Sequence, residues 1–164
     1  MKYSRFEDLP VWKDALDFVV DANAFVKSSP LKNDRDYTSQ WRRAALSISN
    51  NVAEGFESGT TEQLLSFIYI ARGSAGECRS MTYVFERLEG YEHLKSQISD
   101  LRATAEAISR QLRGWADSLQ NSDIKGQRRL TENTKRLYEA KKDREEFQKK
   151  IDRIVEESRK KQGR

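Results

Sequence analysis

Leu94, Ile98, Leu101, Ala105, Ile108, Leu112, Trp115 and Leu119 recur every three or four residues without interruption, and this unbroken seam limits the chain more than any other feature. An apolar row at that spacing lines one side of a long α-helix and must be covered by other helices. A second seam of the same kind, Leu64, Ile68, Ala71, Ala75, Cys78, Thr82 and Phe85, precedes it. Only two prolines occur, Pro10 and Pro30, and no stretch alternates polar with apolar residues as a half-buried strand would. The fold class is therefore all-α: an up-down four-helix bundle, residues 1–120, with a basic helical extension, residues 121–164.

The punctuation places the helices. The first is expected from Pro10, with Asp8 as cap, to just before Pro30, its inward stripe being Trp12, Ala15, Leu16, Val19, Ala22 and Val26. The second runs from about Asp36 to Phe56. Gly59 then breaks the chain and Thr60 or Thr61 caps a third helix reaching about Glu89. That third helix carries a second row, Phe67, Ile70, Ser74, Glu77, Met81, Val84 and Leu88, so it is apolar over more of its girth than a surface helix needs. It is expected at the centre of the bundle or against another subunit.

Charge separates the ends of the chain. Residues 125–164 hold 15 Lys/Arg against 8 Asp/Glu, a balance of +7, while residues 1–124 hold 15 against 18, or −3. "NSDIKGQ" reads as a hinge. Beyond it Leu130, Asn133, Leu137, Ala140, Arg144, Phe147, Ile151, Ile154 and Ser158 keep the three-four spacing of a weak coiled-coil stripe. Arg128, Arg129, Lys135, Arg136, Lys141, Lys142, Lys149 and Lys150 are its candidate phosphate contacts, although glutamates are interspersed among them.

Little else suggests chemistry. A single cysteine, Cys78, leaves no intrachain disulfide and no multi-cysteine metal site, and it lies on a seam with no histidine spaced to activate it. The lone His93 does not supply the Glu-x-x-His pairs of a di-iron bundle. Arg87 stands six residues before it, a spacing similar to the Arg/His pair of HEPN-type ribonucleases, but so short a pattern arises by chance. No cofactor or metal is expected. The absence of a long apolar run and of an apolar leader segment points to a cytoplasmic, non-membrane setting.

The stretch Trp41–Glu57, "WRRAALSISNNVAEGFE", mixes core and polar positions. Gln40, Arg43, Ser47, Asn51 and Glu54 line one face, and Ser74 and Glu77 on the next helix could answer them in a buried network, with Gly73, Ala75 and Gly76 allowing close backbone approach. Arg42, about 100° further round, is free to face solvent or a neighbouring subunit and is a further candidate nucleic-acid contact.

"FEDLPVWKDA", "YTSQWRRAALSISNNVAEGFE" and "FIYIARGSAGE" together resemble the four-helix-bundle proteins named after intervening sequences in 23S rRNA genes, a family that includes accessory variability determinants of diversity-generating retroelements. The likeness spans roughly Phe6 to Leu119. Trp41 stands in place of a more usual aliphatic and Val52 in place of isoleucine. The resemblance implies a homopentameric barrel not known as an enzyme, and, for retroelement members, RNA binding beside a reverse transcriptase through basic barrel surfaces. Here the bundle segment is net acidic, so the tail is where compensating charge lies. Two functions follow: an oligomeric RNA-binding accessory protein, or a protein-interaction scaffold docking through a coiled-coil tail.

Overall fold

The computed structural model describes residues 3–121 and 132–162; in the last helix the side chains of 136 and 139–153 are described. The chain divides into two compact units, Met1–Gln127 and Arg128–Arg164. The first contains α1 (Pro10–Ser28), α2 (Arg35–Glu57), α3 (Thr61–Phe85) and α4 (Lys95–Gln120); the second contains α5 (Glu132–Gln162). Among the described residues there is no β-strand, and no helix is long and apolar enough to cross a membrane. Each of α1–α4 packs on two neighbours in the order α1, α2, α3, α4 and back to α1, leaving α1 diagonal to α3 and α2 diagonal to α4. Short connections make successive helices antiparallel.

The core is aromatic at one end. Trp41, fully buried, meets Phe85 edge-on at 5.2 Å and Phe18 at 5.9 Å between ring centroids, and Phe25 packs on both Trp41 and Phe85. The indole Nε1–H of Trp41 donates to the Ala22 carbonyl at 3.0 Å, satisfying the polar group that burial would otherwise strand. A bulky aliphatic here could fill the space but not tie α2 to the α1 backbone.

Several boundaries and faces differ from the sequence expectation. The cap of α1 is Leu9, which makes no side-chain capping bond; Asp8 belongs to a preceding 3-10 turn, Phe6–Asp8. The buried stripe of α1 is Val11, Ala15, Phe18, Ala22, Phe25 and Val26, while Trp12 and Val19 are half-buried and Leu16 is exposed. The two rings of Phe18 and Phe25 rotate the helix toward Trp41 because they bring the larger apolar area inward. By contrast, α2 begins as its caps demand: Asp34 accepts from the Asp36 and Tyr37 amides, and Thr60 caps α3 by accepting from the Gln63 amide. Helix α3 ends at Phe85, four residues before the expected Glu89, and the chain reverses through Gly90 at φ 84°, a conformation that side chains disfavour.

Close approach between α2 and α3 occurs at Gly55, not at the glycines of "ARGSAGE". A Cβ on Gly55 would lie 2.8 Å from Phe67 Cβ and 3.1 Å from Leu64 Cδ1, whereas Gly73 and Gly76 have open space at that position. The partner of α3 on its other side is α4. Arg102 clasps the two by donating to Thr82 Oγ1 at 3.1 Å, pairing with Glu86 at 2.7 Å and lying 3.9 Å over the Tyr83 ring.

Candidate functional site

Two groups of polar residues stand out, one between α2 and α3 and one along α5. On the first, Gln40 donates to Glu77, and Arg43 donates to Gln40 Oε1 at 2.6 Å. Arg43 and Glu77 thus communicate through the Gln40 amide and not by a direct ion pair. Gln40 and Arg43 are exposed and Glu77 half-buried, so this is a surface relay and not the buried network anticipated. One turn and more along, Ser47 Oγ accepts from Asn51 Nδ2 at 2.9 Å and meets Ser74 Oγ at 2.9 Å. Glu54 joins neither group and is exposed.

The relay borders an open groove of about 440 Å³ lined by Asp36, Tyr37, Ser39, Gln40, Arg43, Glu77 and Met81. Two carboxylates face one guanidinium there, an arrangement that disfavours an anionic ligand. Arg42 is exposed on α2 outside this groove.

Other sequence candidates are placed as follows. Cys78 is buried, and desolvation, reinforced by the neighbouring Glu77 charge, pushes its thiol up to about 12 from an ordinary 9.0, which suppresses the nucleophilic thiolate. Arg87 donates to the Tyr83 carbonyl at 2.7 Å, capping the end of α3, and His93 lies exposed on the 3-10 turn Glu92–Leu94.

On α5, Arg136, Lys141, Lys142, Lys149 and Lys150 are exposed. Lys135 lies within the helix with its side chain outside the described set, and Arg128 and Arg129 lie outside the described residues, as do Leu130 and most of the expected hinge. At 100° per residue, Lys142, Lys149 and Arg153 fall within about 40° of one another, forming a row diametrically opposite the exposed Phe147 and Ile151. Glu146, seven residues before Arg153, falls within about 20° of it and so in the row, and Glu145 and Asp152 fall along one side. Lys141, Lys150 and Arg136 lie away from it. The basic row is therefore interrupted by one acid and has two more beside it. Arg153 was missed as a site residue; the seven-residue interval Lys142 to Lys149, continued four residues on, is the signal that locates it.

The sequence profile described as 23S rRNA-intervening sequence protein matches residues 7–114. The chain belongs to that family. Comparison with curated proteins finds no match. The matched segment ends within α4, so α5 and its basic row lie outside what the family accounts for.

Proposed function

We propose that this member of the 23S rRNA-intervening sequence protein family is a non-catalytic, oligomeric RNA-binding accessory protein. The bundle serves assembly and α5 serves as the RNA-contacting arm. The observation that carries the reading is the row Lys142, Lys149 and Arg153, exposed along one line of a 31-residue helix. Such a row follows a phosphate backbone without reading bases, and RNA binding of this kind gains from counterion release. Against a catalytic role stand a thiol held protonated by burial and an Arg87 engaged, from the turn that follows α3, in capping that helix.

Assembly is supported by two outward apolar faces. Leu16 and Val20 are exposed on α1; Tyr69, Ile70 and Val84 are exposed on α3 beside the open positions of Gly73 and Gly76. Because α1 and α3 are diagonal, these faces look in opposite directions. Contacts between unlike faces of that kind are heterologous, they close into a ring when the rotation between copies divides a full turn, and a homopentamer is the ring proposed. A reverse transcriptase is the protein partner that the likeness to retroelement members adds to the same reading.

The test is a gel-shift titration of single-stranded RNA at several salt concentrations. Full-length protein should show log affinity falling linearly with log salt, by about 0.7 per phosphate neutralised. The variant Lys142→Gln/Lys149→Gln/Arg153→Gln should bind more weakly to every sequence with a shallower slope. Equal affinity and slope in the two proteins would sink the RNA-arm reading.

A further inference from the structure

The face of α5 opposite the basic row has an occupant that its charges identify. Ala140, Arg144, Phe147 and Ile151 are all exposed and follow the three-four spacing, so they occupy the a and d positions of a heptad; Asp143 and Lys150 occupy the flanking g positions. Phe147 is 64% exposed, an apolar area that invites burial against another surface.

We propose that α5 pairs antiparallel with α5 of a second copy of this chain, in the register that sets Ala140 against Ile151 and Arg144 against Phe147. In this register each Asp143 lies beside Lys150 of the other copy, twice per pair by symmetry, and opposite charges at such flanking positions select helix orientation and partner. Sliding by one heptad in one direction brings Lys150 against Lys150; sliding in the other brings Asp143 against Asp143. Parallel, in-register pairing is opposed as well, because it stacks Arg144 on Arg144 within the seam and puts Arg136 beside Lys141. The antiparallel register turns the same arginine from a repulsive layer into a cation over the face of Phe147, an attractive arrangement. In this one register and orientation Asp143, Lys150 and Arg144 each meet a favourable partner.

This pairing goes beyond the RNA reading and does not rest on it: Lys142 and Lys149 lie on the side away from the seam and remain free in either case.

The experiment uses full-length chain carrying Ala140→Cys or Ile151→Cys, oxidised alone and as a mixture, with no RNA present. The expected result is a disulfide-linked dimer formed between the two variants in the mixture and little linkage in either alone; the buried native Cys78 supplies no competing thiol. Adding Asp143→Lys to both variants should weaken the mixed linkage about tenfold, and adding Lys150→Asp as well should restore it. Linkage of Ala140→Cys to itself would mean parallel pairing and overturn the proposal. So would the absence of linkage in all samples, the outcome expected if the seam is covered by another protein or another part of the chain. Charge swaps without effect on the mixed linkage would overturn the register argument.

Discussion

Helices α4 and α5 carry the same three-four spacing, yet they meet opposite fates. In α4, Ile98, Leu101, Ala105, Ile108 and Leu112 are buried against α1 and α3. In α5, Phe147 and Ile151 remain exposed along a helix of 31 residues. Periodicity therefore specifies a helix with a face, not what covers the face. The difference lies in composition: α4 places aliphatic residues at nearly every seam position, whereas the α5 seam admits Arg144 and Ala140 and bears charge on all remaining sides. Burial of that seam is worth less, so its partner is chosen by charge more than by area.

The contrast is broken most forcefully at Trp41. Trp41→Ala should cost the bundle about 3 to 5 kcal/mol, since it leaves a cavity among Phe18, Phe25 and Phe85 and strands nothing that α5 could replace. Phe147→Ala, of comparable size change, should shift the same urea-unfolding midpoint of the bundle by less than about 0.5 kcal/mol equivalent. Equal losses would show that the two units are not independent.

A smaller effect is expected at the α2–α3 contact. Gly55→Ala puts a methyl 2.8 Å from Phe67 Cβ, a rigid neighbour, and should destabilise by about 1 to 3 kcal/mol. Gly73→Ala, where space is open, should instead stabilise slightly by favouring the helix, by about 0.5 to 1 kcal/mol. Thermal melts of the two variants moving in opposite directions would sharpen the assignment of the close contact; movement in the same direction would remove it.

The smallest effect concerns the polar relay. Because Gln40 and Arg43 are exposed, Glu77→Ala should cost less than about 1 kcal/mol, the range of surface charged contacts. A loss of several kcal/mol, measured by denaturant unfolding, would mean that Glu77 is buried in the assembled protein, at a subunit contact.

The bundle was largely legible because its signals are local. Thr60 caps its helix as a short polar residue ahead of an apolar run does, and the α3 and α4 seams are buried nearly position for position. The rotation of α1 was less legible: Val11, Phe18 and Phe25 compete with Trp12, Leu16 and Val19 for the inner face, and both sets repeat with helical spacing. Of the α2 polar stripe, Gln40 meets Glu77 and Ser47 meets Ser74, whereas Glu54 joins neither and the group lies shallower than expected, since spacing says nothing about how far two helices stand apart.

What the sequence by itself determined is the set of helices and the apolar seams of α3 and α4, because each depends on residues within a turn or two of one another. The tertiary structure alone decided three things. Trp41 became the centre of the core, Gly55 and not Gly73 or Gly76 became the point of closest helix approach, and the Arg43–Gln40–Glu77 group came to lie in water. All three turn on the distance and rotation between helices, which are set by how large side chains from distant parts of the chain interlock, and no local pattern encodes that fit.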